Sequence, residues 1–268
     1  MSWRLALLFL ALPFQAAAQS APVVADLTYW GYKDGFHVLT AHSEILLSPS
    51  GYRITLTGHT TGLIGLFFRA RWHALADGNW TDDGVQPLHF DNQGVFGGHP
   101  RRVALQLAGG DPVIRTLSPV DDGEHTPVPP YATRDSIDTL SVTALLVHQV
   151  ATLGTCQGEV RVFNGRSVEE MSIVRGGADY LAATSRSLYS GPTLRCDLHS
   201  HVIAGFFIGD DSPKSRHFDD SVWLATIFHG VPALPVRTTA TTHHLGHIVL
   251  YLTAAKRRDI DTRTAKTP

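Results

Sequence analysis

Strict alternation of apolar and polar positions dominates the chain. From His37 to Leu47, Leu39, Ala41, Ser43, Ile45 and Leu47 fall on one face, while His37, Thr40, His42 and Glu44 lie mostly on the other. A period of two marks a half-buried strand. Residues 52–60 repeat it, with Tyr52, Ile54 and Leu56 opposing Arg53, Thr55, Thr57 and His59. Ser48-Pro49-Ser50-Gly51 supplies the turn between them. Lys33-Asp34-Gly35 supplies another after a first strand at 26–32. Long alternating strands joined by tight turns read as an antiparallel meander with one wetted face. Further strands are expected at 69–76, 85–90, 101–107 and 113–116, separated by Asp77-Gly78, Asp83-Gly84, Gly97-Gly98 and Gly109-Gly110. The same pattern resumes at 159–163, 167–174, 181–188, 194–203, 222–226, 236–242 and 247–252.

Two segments depart from it. Leu63, Ile64, Leu66, Phe67 and Phe68 crowd together without alternating, which predicts a turn of helix or an apolar loop. Such a cluster lines a pocket, covers a barrel mouth or plugs the core. Residues 118–134 carry Pro127, Pro129 and Pro130 and form a connection. The connection leads to a helix over about 138–153, capped by Ser136 or Asp138 and ended by Gly154. Leu140, Ala144, Val147 and Ala151 make one apolar stripe; Val142, Leu146, Val150 and Leu153 make a second. A helix apolar on two stripes is buried, and the sheet must wrap it. The expected fold class is mainly β (β-rich α+β): a large curved antiparallel sheet or open β-barrel around one long α-helix.

The start of the chain sets the compartment. Arg4, the apolar run Leu5 to Leu12 and Ala16-Ala17-Ala18 have the form of a secretory signal peptide cleaved near Ala18. The run falls well short of the roughly 20 apolar residues that span a bilayer. The chain then divides into a signal peptide at 1–18, a single β-rich domain at 19–255 and a polar, disordered tail at 256–268. No Cys follows the cleavage site, and no second apolar run reaches membrane length, so a soluble periplasmic protein is expected. In that setting Cys156 and Cys196 predict one disulfide. Closing a loop of about 40 residues stabilises by roughly 4 kcal/mol in the chain-entropy model. A net charge of −2 leaves no surplus of basic residues for nucleic-acid binding.

Chemistry is sparse. Among 15 histidines, His199 and His201 share a strand face with Asp197, a weak candidate metal set. His243, His244 and His247 crowd the last turn around Gly246. The plainer reading makes these polar residues on wet strand faces, like His37, His42 and His59. There is no G-x-S-x-G elbow and no H-E-x-x-H helix, and Ser200 points away from its flanking histidines. Asp210-Asp211 and Asp219-Asp220 read as solvated doublets sooner than as paired catalytic carboxylates. No catalytic residue and no cofactor is assigned.

The ordered string is more specific than any piece of it. Thr61-Gly62-Leu63-Ile64-Gly65-Leu66-Phe67, Pro127-Val128-Pro129, Asp138-Thr139-Leu140-Ser141 and Phe163-Asn164-Gly165-Arg166 come first. Tyr189-Ser190-Gly191-Pro192 before Cys196, Ile203-Ala204-Gly205-Phe206, Val222-Trp223-Leu224 and Leu234-Pro235-Val236-Arg237 follow. Over about 25–253 this resembles the exported bacterial family called domain of unknown function 3108. The resemblance implies a signal peptide and an antiparallel sheet, and no assigned activity. The pattern is also similar to the periplasmic lipoprotein-carrier type of fold, an open curved sheet closing on helices.

The expected function is a non-enzymatic binding module for an apolar ligand (lipid or lipoprotein-like) or an envelope protein. Leu63, Ile64, Leu66, Phe67 and Phe68 are its candidate binding residues. The alternatives are an envelope scaffold without a ligand cavity and a His-based metal-binding protein or hydrolase. An apolar interior cavity favours the first, a filled interior the second, and convergent imidazoles the third.

Overall fold

The computed structural model describes residues 21–260, apart from 63, 83, 211, 213–215 and 243–244. The expected signal peptide, Leu63, His243 and His244 lie outside the described residues. The strands are β1 (Val23–Lys33), β2 (Phe36–Leu47), β3 (Gly51–Thr60), β4 (Ala70–Trp80), β5 (Val85–Phe96), β6 (His99–Gln106) and β7 (Val113–Ser118), then β8 (Ser136–Ile137), β9 (Gly158–Phe163), β10 (Val168–Leu181), β11 (Gly191–Ala204), β12 (His217–Ala225), β13 (Leu234–Thr242) and β14 (Gly246–Asp259). Helix α1 (Ile64–Phe67) joins β3 to β4, and α2 (Thr139–Leu153) joins β8 to β9.

All strands belong to one 14-stranded sheet in the order β7-β6-β5-β4-β3-β2-β1-β14-β13-β12-β11-β10-β9-β8. The first and last strands pair at its centre, and antiparallel strands run outwards from them on both sides until the two-residue β8, which lies parallel to β9. The sheet is curved and not closed, since β7 and β8 are unpaired edges. This is the expected class: mostly β, with a large curved sheet around one long helix.

Local chemistry explains the turns. Asp34 and Gly35 both have positive φ (49° and 87°), the geometry that matches a two-residue hairpin to the twist of its strands. At the β9–β10 turn, Asn164 Oδ1 accepts from the backbone N–H groups of Arg166 and Ser167, both at 2.8 Å.

Three segments differ from expectation. Asp77-Gly78 is no turn: β4 runs through it to Trp80 with a register shift between the two residues. A Cβ on Gly78 would stand 2.6 Å from the Gln86 carbonyl oxygen and from Tyr52 Oη, so glycine there serves a close approach within the sheet. The strand expected at 181–188 does not form beyond Leu181, the last residue of β10. Leu181 pairs with Gly191, which makes the residues between them the loop of the β10–β11 hairpin. β14 continues through Lys256 to Asp259, four residues into the segment expected to be a tail. Its end pairs with Val23 to Asp26 of β1, and Arg258 binds both Asp26 and Glu44.

α2 plugs one end of the curved sheet. Leu140, Val142, Ala144, Leu145, Leu146 and Val147 are all buried. Asp138 caps it, accepting from the N–H groups of Leu140 and Ser141 at 2.9 Å each. Gly154 ends it in the left-handed conformation at φ 66°. The Cys156–Cys196 disulfide forms, with Cα atoms 6.0 Å apart, and ties the segment after the helix to β11.

The outer face is polar. It carries Arg53–Asp77–His89, Arg102–Asp91 and Arg161–Glu170 contacts. That is the opposite of the apolar band a lipid-facing barrel needs. Among the described residues no helix is long and apolar enough to cross a membrane.

Candidate functional site

Inside the curved sheet is a cavity of about 460 Å³. Its walls are the inward positions of the alternating strands: Leu39, Ala41, Ser43 and Ile45 from β2, Ile54 and Leu56 from β3, Ala70 and Trp72 from β4, and Thr238, Ala240, Ile248 and Leu250 from β13 and β14. Leu140 and Thr143 of α2 form the floor. Phe68, Thr60, Phe96, Thr242 and Leu245 form the opposite rim, where the β3–β4, β5–β6 and β13–β14 connections meet.

The lining is overwhelmingly apolar. Within it, Asn92 Oδ1 is buried and has no hydrogen-bond partner among the described residues. Tyr29, also in the lining, is satisfied by donating to the Pro235 carbonyl at 2.8 Å, and burial pushes its hydroxyl pKa up. Beneath the floor, Tyr52 and Ser141 hydroxyls meet at 2.6 Å, and Ser141 donates to Asp138. Burial pushes the Asp138 carboxyl up to about 6, against the pull of the Ser141 hydroxyl and the capped N–H groups.

The expected apolar cluster is split by α1. Thr60 fixes it, its hydroxyl donating to the Phe68 carbonyl at 2.8 Å and accepting from the Ala70 N–H at 2.9 Å. Ile64 packs against the core, and Phe68 reaches the cavity. Leu66 and Phe67 turn outwards, 67% and 90% exposed. Leu63 lies outside the described residues.

The three candidate metal ligands are not brought together. Asp197 accepts from the Ser221 hydroxyl at 2.7 Å and pairs with Arg195 at 3.0 Å. His199 pairs with Asp219 at 2.7 Å. His201 stacks on His217. Two-residue steps along a strand put side chains on one face but about 7 Å apart, and each found its partner across the sheet instead. The doublet Asp219-Asp220 is divided by the same alternation: Asp220 binds the N–H and hydroxyl of Thr241 at 3.0 and 3.1 Å.

Asp122, Glu124 and His125 do converge within metal reach. Here the carboxylates already face guanidinium groups. Arg101 and Arg166 approach Asp122 at 3.8 and 3.6 Å, and Arg101 also binds Glu124. Burial raises the Asp122 pKa, but bonds from the Glu124 N–H and from His125 outweigh it and hold the carboxyl at about 2. Asp122 therefore acts as a clasp, joining the connection after β7 to β6 and to the β9–β10 turn.

A smaller, more polar cavity of about 260 Å³ lies at the other half of the sheet, lined by Glu169, Ser200, Asp220 and Phe218 among others. Burial raises the Glu169 pKa; the Ser200 hydroxyl opposes this and the Asp220 charge adds to it.

A 14-stranded open sheet with one internal helix and an apolar lumen defines a β-barrel-like protein. The crystal structure of a β-barrel-like protein of domain of unknown function 1849 from Brucella abortus is similar to it. The two superpose with a TM-score of 0.51 at 13% identity, covering 91% of this chain and 100% of that one. No family model matches the chain, and no curated protein matches it. The fold is thus that of a bacterial domain of unknown function, while the finer resemblance to family 3108 finds no matching model.

Proposed function

We propose that this is an exported, non-enzymatic binding protein whose ligand is an amphiphile with an acyl-like apolar part. The carrying observation is the apolar cavity of about 460 Å³. That volume falls in the roughly 300–1,000 Å³ range of small-ligand sites. Apolar walls favour a ligand that gains by leaving water. The buried, unpartnered Asn92 Oδ1 offers one acceptor for a hydrogen-bond donor on it. Phe68 forms part of the rim, Ile64 packs against the core, and Leu66 and Phe67 extend the rim outwards.

The periplasm fits this reading, supported by the signal-peptide pattern of 1–18 and by the disulfide. Affiliation with the exported family 3108 rests on the ordered string of residues alone. An empty-walled scaffold fits less well, because its inward positions would be expected to fill the lumen.

The test is native mass spectrometry and lipid extraction of protein purified from the envelope fraction. Wild type retains an amphiphile. Ala41→Phe, which projects a ring into the cavity, retains at least several-fold less with an unchanged circular dichroism spectrum. A wild-type protein that carries no amphiphile and takes up no fluorescent fatty-acid probe overturns the proposal.

A further inference from the structure

We propose that the rim around α1 is a docking surface for an anionic lipid bilayer. The rim is continuous. Thr61 N–H donates to the Val38 carbonyl at 2.8 Å, and Gly62, at φ 60°, lies so close to the His37 carbonyl that a Cβ would stand 2.7 Å from it. These contacts set α1 beside the start of β2. On its other side, Gly97 N–H donates to the Arg69 carbonyl at 2.9 Å. The Lys33 ammonium lies 3.0 Å from where a Gly246 Cβ would be, which joins the β1–β2 and β13–β14 turns.

Apolar side chains project from this rim away from the protein. Phe36 and Leu66 are each 67% exposed and Phe67 is 90% exposed. Thr60, Phe68 and Ala70, which flank α1, line the cavity at the same end. The exposed apolar tip and the apolar lumen are therefore neighbours along one stretch of chain.

Charge identifies the occupant. Arg69 and Arg71 are exposed beside the tip and have no ion-pair partner among the described residues. His59 is exposed on the adjoining strand end. The acid at the rim, Asp34, is balanced by Lys33 at 4.0 Å. Aromatic and aliphatic side chains inserted at headgroup depth, with free guanidinium groups beside them, match an anionic bilayer surface. The inference goes beyond ligand binding: it gives the cavity an end that faces the lipid.

The test is co-sedimentation with vesicles. Wild type is expected to pellet with phosphatidylcholine vesicles containing phosphatidylglycerol and to be released by high salt. It is expected to bind pure phosphatidylcholine at least several-fold less. The L66S/F67S double variant should lose binding by about tenfold or more, and R69Q/R71Q should lose the preference for phosphatidylglycerol. Both variants carry surface changes, and unchanged thermal unfolding shows that they fold. No binding by wild type, or equal binding by L66S/F67S, overturns the proposal. A concentration-dependent dimer that L66S/F67S abolishes, with no vesicle binding, assigns the rim to a second copy and also overturns it. Failure of the cavity reading is separable: Ala41→Phe should lose the retained amphiphile and keep vesicle binding.

Discussion

Replacing Asp138 should change how stability depends on pH, in a direction fixed by its burial. Asp138 is fully buried and caps α2 under the cavity floor. Its carboxyl is pushed up from 3.8 to about 6. That displacement corresponds to about 3 kcal/mol. Because the folded pKa is the higher one, the folded chain holds a proton that the unfolded chain has lost between these values. The contribution is fully present below 3.8 and is lost as pH rises through about 6. D138N keeps an oxygen to accept from the Leu140 and Ser141 N–H groups but cannot ionise. The stability of D138N relative to wild type should therefore rise by about 3 kcal/mol between roughly pH 4 and pH 7.5. D138A also loses the cap and leaves buried donors without an acceptor. It should fall below D138N by about 1–3 kcal/mol at every pH. Urea unfolding of the three proteins across that range measures both differences. A stability of D138N relative to wild type that is constant with pH, or that falls as pH rises, refutes the reasoning.

Two other outcomes follow from the clasps on the sheet. Removing the disulfide by C156S/C196S should cost about 4 kcal/mol for a loop of this length, read from urea melts against the oxidised wild type; thiol labelling of the native protein should find no free Cys. Asp122 is depressed to about 2, so its stabilisation is present above 3.8 and is lost as pH falls through about 2. D122N should accordingly be about 2 kcal/mol less stable than wild type at neutral pH, with the gap closing below about pH 4. A gap that persists unchanged in acid assigns the loss to geometry instead of charge.

Alternation made most of the fold legible. Along β2 and β3 the inward and outward residues fall where a period of two puts them, and Asp138 and Gly154 bracket α2 as their capping chemistry requires. Periodicity misplaces an element where glycine has more than one use. Gly78 looks like a turn residue but sits where Tyr52 and Gln86 crowd the sheet. The extension of β14 was hidden because Lys256, Arg257 and Arg258 read as a polar tail. Arg258 is instead held by Asp26 and Glu44, residues more than two hundred positions away. The apolar cluster at α1 was visible as a departure from alternation. Its division into a buried side and an exposed side depends on Thr60, whose hydroxyl no periodicity singles out.

The cavity had a signal that periodicity alone does not weigh: the size of the inward side chains. About eight strands close around a lumen that side chains can fill. Fourteen strands curve around a wider one, and α2 occupies only the end nearest β3, β4, β5 and β9. Further up the wall the inward residues include Ala41, Ser43, Ala70 and Ala240, none long enough to cross it. The space is open at its rim, so 460 Å³ at about 24 cal/mol per Å³, on the order of 10 kcal/mol, is an upper bound on the cost of leaving it empty. That equals the net stability of a typical domain, roughly 5–15 kcal/mol. Small residues lining so large an apolar space are unfavourable for a protein whose only task is to stay folded, and useful for one whose lumen is filled by a ligand. The trade has a measurable form. Ala41→Phe should raise the melting temperature of the delipidated protein while it reduces amphiphile retention. If it lowers both, the space around Ala41 is needed for packing, and the ligand argument loses its energetic support.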